Sequence, residues 1–179
     1  MEPTKSEFIE VRESGIHNKG IFAAKDILDD TKIIEYVGEK VSKEEGDDRC
    51  DISEEESKKD NSKGMFYVFE LNDHYDIDGD VDWNTAKYIN HSCDPNCEID
   101  IEDDKIWVTA LRDIKDGEEL TYDYNFDEED FEKYPCKCGS KNCIGYMVGE
   151  ECWPELKKKF EEKGMKFPRD IEEESSVEN

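Results

Sequence analysis

The sequence predicts a mostly β fold with short helices, of the α+β class. Three features predict it: many short runs with strand character, few and short helical stretches, and one long charged insert between them. At 179 residues the chain suffices for one domain with a real core and is short for two.

Phe8-Ile9-Glu10-Val11 alternates and predicts a first strand. Ser14 to Gly20 reads as a turn, and Ile21-Phe22-Ala23-Ala24 resumes as a strand. Lys32-Ile33-Ile34-Glu35-Tyr36-Val37 is a third strand, ended by Gly38. Residues 40–64 are almost all charged or small, so a partly helical, mobile surface insert is expected there. Met65 to Leu71 is the most apolar run and predicts a buried strand, with His74 to Ile77 as its hairpin partner. Asn84 stands where an N-cap would start a short helix through Tyr88. Glu98 to Ile101 and Ile106 to Leu111 predict two strands around the acidic turn Asp103-Asp104. Asp116-Gly117 then turns the chain into a strand at Leu120. Trp153-Pro154 opens a helix whose Trp153, Leu156 and Phe160 share one face, so it should dock. Residues 170–179 are expected to form a disordered polar tail. No internal repeat is visible.

Charged residues make up 41% of the chain, with a net charge of −26 and a pI near 4.4. Such a surface repels a phosphate backbone, so direct nucleic-acid binding is not expected, and it attracts basic partners. The same acidity also serves plain solubility. Met1-Glu2-Pro3-Thr4-Lys5 lacks the basic and apolar regions of a secretory signal. No apolar run approaches the roughly 18 residues that span a bilayer. An intracellular protein is expected, cytoplasmic or nuclear, with no membrane contact and reduced thiols. Seven cysteines, an odd count with tight local spacing, favour metal ligation over disulfides.

Cys136-Lys137-Cys138-Gly139-Ser140-Lys141-Asn142-Cys143 places three thiols within eight residues. Structural zinc prefers four ligands, so a fourth must come from elsewhere, and Cys93 or Cys97 is the obvious donor. A site so built would pin the C-terminal segment to the Asn90-His91 turn and would serve folding.

Asn90-His91-Ser92-Cys93, Glu119-Leu120-Thr121-Tyr122-Asp123-Tyr124 and Cys136-Lys137-Cys138, in that order, together resemble motifs of the SET-domain protein lysine methyltransferases. Ile16-His17-Asn18-Lys19-Gly20-Ile21-Phe22 is similar to the first motif, Gly-x-Gly before an aliphatic and Phe. Glu35-Tyr36-Val37-Gly38-Glu39 and Tyr67-Val68-Phe69 resemble two further segments. Lys87-Tyr88-Ile89-Asn90-His91-Ser92-Cys93 resembles the Asn-His-Ser-Cys motif, and Gly117 to Tyr124 with Phe126 the Gly-Glu-Glu-Leu motif. Cys136 to Met147 resembles a post-SET segment. The order is right, and the likeness is to trithorax-like and related histone methyltransferases.

The resemblance implies several small sheets and a threaded C-terminal segment. It implies a SET domain over 6–127, a zinc-bound post-SET segment over 128–149 and a C-terminal helix over 150–169. It implies S-adenosylmethionine in a pocket of Lys19, Gly20, Tyr67, Lys87, Asn90 and His91, closed by Tyr146 and Met147. Cys93 carries over as the fourth zinc ligand beside Cys136, Cys138 and Cys143. Tyr36, Tyr122 and Tyr124 would line the channel for the substrate lysine, with Tyr124 essential. Tyr122, where the family has Phe or Tyr, implies mono- or dimethylation. The implied substrate is a basic protein such as a histone tail, and the chain is expected to be a monomer. Two departures stand out. Asn18 replaces a Gly, a turn position Asn tolerates at positive φ. Lys87 replaces an Arg and loses its planar fork. The competing expectations are a silent SET scaffold and a zinc-stapled interaction module.

Overall fold

The computed structural model describes residues 2–59 and 66–168. Strand β1 (Ile9–Glu13) pairs antiparallel with β2 (Lys19–Ala23), Ile9 opposite Ala23 and Glu13 opposite Lys19. The intervening turn passes through Asn18 at φ 40°, the left-handed conformation expected of it. Strand β3 is Lys32–Tyr36 and β4 is Glu39–Ser42. Helix α1, Lys43–Lys59, follows directly. Its first turn is closed by Ser42, whose hydroxyl accepts a bond from Glu45 N at 3.3 Å.

Helix α1 buries only Gly46 among its described residues, so apolar packing does not hold it. It sits on a sheet made of β4, β6 (Tyr75–Asp78) and β5 (Val68–Glu70), in the order β4-β6-β5. Charged pairs tie it there: Lys43 to Asp76 at 2.7 Å and Arg49 to Asp78 at 2.5 Å. A Cβ on Gly46 would lie 2.4 Å from Asp76 Oδ2, which explains a glycine inside a helix. The expected insert is thus helical for most of its length; residues 60–65, including the Met65 start of the predicted strand, lie outside the described residues.

The chain then makes a 3₁₀ turn, Thr85–Tyr88, preceded by Asn84. The Asn84 side chain does not cap that turn; it is buried and donates to Gly79 O at 3.1 Å. The two-residue strand β7 (Asn90–His91) leads to β8 (Cys97–Glu102) and β9 (Lys105–Ala110). Their hairpin turns through Asp103 and Asp104 at φ 52° and 57°, the two positive values of a primed turn. A second sheet has the order β3-β9-β8. Strand β10 (Glu119–Tyr122) enters the first sheet between β2 and β7, giving β1-β2-β10-β7. It runs antiparallel to β2 and parallel to β7, Thr121 beside Asn90 and Tyr122 beside His91.

The main core lies between these sheets, where Ile21, Ile27, Val108, Ile114 and Leu120 are fully buried. A second cluster joins Phe131, Ile144 and Val148 to Leu156 and Phe160 of helix α2 (Trp153–Glu162), with Trp153 against it. This helix docks by the face the sequence predicts. The tail expected at 170–179 lies outside the described residues.

Candidate functional site

A cavity of about 550 Å³ opens between the Ile16–Lys19 turn, the end of α1, the Phe66–Tyr67 strand entry and the Lys133–Met147 segment. Lys19, Tyr67, Lys87, Asn90, His91, Tyr124 and Met147, all singled out in the sequence, line it. Its volume and mixed lining suit a nucleoside-sized ligand. Among the described residues, five lysines line it (Lys19, Lys58, Lys87, Lys133 and Lys137) and no carboxylate does, in a chain with 50 acidic residues. Lys58, Lys87 and Lys133 are each paired with a carboxylate outside the lining, Glu54, Asp80 and Asp130.

Gly20 and Tyr146 are not part of the lining. Gly20 is buried behind it, where a Cβ would lie 2.3 Å from Glu119 Oε1. Tyr146 stacks its ring on Phe131 and Phe160, at 4.8 and 5.9 Å, inside the second core. Lys87 reaches Asp80 at 3.1 Å and lies over the Tyr67 and Tyr88 rings, at 5.9 and 5.7 Å. A cation over aromatic faces is what an ammonium can retain without a guanidinium fork.

The Asn90 amide nitrogen is spent on the protein. This Nδ2 lies 3.0 Å from Lys19 O, 3.1 Å from Ser14 Oγ and 2.8 Å from Glu119 Oε1. Ser14 Oγ also donates to Glu119 Oε1 at 2.7 Å. Asn90 thus clamps the Ser14–Lys19 turn onto β7 and β10. Glu119, the hub of this clamp, lies in the Gly-Glu-Glu-Leu segment, but sequence reasoning assigned it no role of its own. His91 is buried, with Nδ1 3.2 Å from Tyr124 N and Nε2 3.4 Å from Cys93 Sγ.

Of the three tyrosines, Tyr124 reaches the cavity; Tyr36 and Tyr122 stand behind it. Tyr124 packs on Tyr122 at 4.9 Å, and Phe69 lies between Tyr36 and Tyr122, at 4.5 and 5.6 Å. The Tyr36 hydroxyl donates to Tyr67 O at 2.8 Å, and that of Tyr124 to Ile89 O at 3.1 Å. Burial above all pushes all three phenols up, so each keeps its proton. Phe66, Phe126 and Tyr134 extend the stack, with Phe66–Phe126 at 4.3 Å and Phe126–Tyr134 at 4.8 Å. Phe66 and Tyr134 are contributors that sequence reasoning did not single out.

The metal question resolves toward one cysteine. The Sγ atoms of Cys93, Cys136, Cys138 and Cys143 all lie within 4.8 Å of one another, and Cys93 and Cys136 are 3.7 Å apart. Tetrahedral zinc at about 2.3 Å from each sulfur needs sulfurs roughly 3.8 Å apart, so the donor set fits. The neighbouring Cys136 thiol and the His91 ring lower Cys93, while the same contact raises Cys136, so the two sulfurs share one proton between them. Cys97 lies outside the set, buried, and burial pushes its thiol up to about 12. Cys136 also lines the cavity, so the metal centre and the ligand pocket share a wall.

Small sheets, a parallel Asn-His strand beside a tyrosine strand, and a four-cysteine cluster whose spacing is compatible with zinc fit a SET-domain protein. The SET domain matches residues 18–125, and the chain belongs to this family. It is 40% identical over 152 residues to histone-lysine N-methyltransferase trithorax of Drosophila virilis, covering 82% of this chain and 4% of that protein. It is 42% identical over 139 residues to histone-lysine N-methyltransferase 2D of Homo sapiens, covering 75% of this chain and 2% of that protein. Similarity to the H3 lysine-4 specific histone-lysine N-methyltransferase of Saccharomyces cerevisiae is 40% over 142 residues, 75% of this chain and 12% of that protein. The chain thus spans a small fraction of the relatives it matches. Among the described residues, no helix is long and apolar enough to cross a membrane.

Proposed function

We propose that this chain is a catalytic SET module that transfers a methyl group from S-adenosylmethionine to the side-chain amine of a lysine in a basic protein, a histone tail being the leading candidate. One observation carries this reading: the Tyr124 ring, which packs against the buried Tyr122, forms a wall of the same cavity that Asn90, His91 and Lys87 line. Names of relatives over 75% or more of the chain support it.

In this reading Lys19, Lys87 and Met147 hold the methyl donor, which supplies an electrophilic methyl on a positive sulfonium. The chain does the rest by position and exclusion. A free lysine amine with a pKa near 10.4 must be presented neutral, and a dry aromatic channel disfavours its charged form. Tyr124, which reaches the cavity, keeps its proton and orients that amine through its hydroxyl oxygen, while Tyr36 and Tyr122 stand behind it and hold the aromatic wall in place. Alignment of amine and methyl supplies most of the acceleration. Tyr122 leaves too little room for repeated transfer, so mono- or dimethylation is favoured. The acidic surface draws a Lys/Arg-rich tail toward the site.

The test is incubation of the zinc-loaded protein with S-adenosylmethionine and core histones, followed by mass mapping of methylated lysines. Lysine methylation is expected. A clear thermal shift with S-adenosylmethionine but no transfer to histones or to lysate proteins would instead identify a silent scaffold. No shift at all would leave the zinc-stapled interaction module.

A further inference from the structure

The two nitrogens of His91 face two different machines. Nδ1 lies 3.2 Å from the backbone N–H of Tyr124, which can only donate, so Nδ1 is the acceptor. Asp123 Oδ1 stands 3.4 Å from the same nitrogen and is itself taken up by Asn125 N at 3.0 Å. The ring proton therefore belongs on Nε2, which points at Cys93 Sγ from 3.4 Å. The ring is 4% exposed and packs against Tyr124 at 5.4 Å, so it has no freedom to turn.

We propose that His91 is a positioning residue that braces the zinc centre against the Tyr124 strand end: Nε2–H supports the Cys93 thiolate while Nδ1 fixes the Tyr124 backbone. The four sulfurs fit zinc, and a donor to a ligating sulfur steadies both the ligand's orientation and its charge. The imidazole nitrogens then have no bond left for a cofactor. What His91 offers the cavity is its ring face and backbone. Only the transfer measurement below rests on the proposed methyltransferase reading; the zinc and tautomer measurements stand without it.

Two substitutions separate the two halves of the brace. His91→Gln places an amide donor near the position of Nε2 and loses the acceptor at Nδ1. His91→Asn places an acceptor near Nδ1 and loses the donor. In His91→Asn the zinc affinity, read by chelator competition, is expected to fall about tenfold or more, the usual cost of losing such a support. In His91→Gln zinc affinity is expected to hold, while the rate of transfer at saturating substrate falls with KM little changed. Long-range ¹H–¹⁵N correlation on the zinc-loaded wild type should show the Nε2–H tautomer. Equal zinc affinity in both variants, or an Nδ1–H tautomer, would overturn the proposal.

Discussion

The Tyr36 hydroxyl rests against the backbone of Gly79, so closely that a Cβ on Gly79 would lie 2.2 Å from its oxygen. The same hydroxyl donates to Tyr67 O, which also accepts from Gly79 N at 2.7 Å. Gly79→Ala must push Tyr36 out of this arrangement. We expect a loss of about 1–3 kcal/mol in stability, the usual cost of overpacking. Methyl transfer should fall with it. Chemical denaturation and single-turnover rates check both.

Tyr124→Phe keeps the ring stack with Tyr122, Phe126 and His91 and removes only the hydroxyl. The fold should persist, with a melting temperature close to wild type. Transfer should drop by about 100-fold or more, since a misplaced amine costs that much. Wild-type turnover in this variant would remove Tyr124 from the chemistry.

Tyr122→Phe should raise the product state from mono- or dimethyl-lysine toward trimethyl-lysine, because removing the hydroxyl frees room beside Tyr124. Intact-mass spectra of a methylated peptide would report it. An unchanged product distribution would sink the role given to Tyr122.

Stripping zinc should loosen one part of the molecule and spare another. Ile144 and Val148 flank the last thiols and pack on Leu156 and Phe160, so their cluster loses its tether. Amides from Phe131 to Phe160 should exchange at least about tenfold faster after chelation, as expected of a unit that opens locally. Those of Ile21 to Ala23 should not change.

High pH should destabilise the fold, and the sign follows from which state holds its protons. Burial raises the Cys97 thiol to about 12 from 9.0. Burial also raises the Tyr36, Tyr122 and Tyr124 phenols above 10.0. The unfolded chain gives up these protons first, so stability is complete below pH 9 and is lost as pH rises toward 12. Each proton held only by the fold contributes a slope of about 1.4 kcal/mol per pH unit. Thermal melts from pH 8 to 11 should show the decline, and Cys97→Ala should remove its earliest part.

Most of the β framework was legible because short apolar runs bounded by turn residues mark strands, as in β2, β8 and β9. Two strands were not. Residues Glu39 to Ser42 look like part of a charged surface, since β4 buries only Val41. Strand β7 is two residues long, too short for any period, and exists because β10 runs beside it. The Ser42–Glu45 cap of α1 was present in the sequence but hidden in a run of acids. At the site, thiol spacing alone left Cys93 and Cys97 open, the resemblance named Cys93, and the structure groups Cys93 with Cys136, Cys138 and Cys143. Motif spacing could not show that Gly20 and Tyr146 stand behind the cavity wall, or that the Asn90 amide nitrogen is spent on Lys19, Ser14 and Glu119. Those are matters of side-chain direction, which spacing does not encode. Phe66 and Tyr134 meet Phe126 only in three dimensions.

The parallel pairing of β7 with β10 also sets a timetable. On a ribosome adding roughly 5–20 residues each second, Asn90 and His91 emerge well before Thr121 and Tyr122, their strand partners. Cys93 waits longer still for Cys143. Throughout that interval the nascent chain carries Ile89 and the Asn-His pair unsheltered. The Asn-His pair therefore gains its shelter only after β10 has emerged, and a chain cut short before Tyr122 exposes that edge to any neighbour.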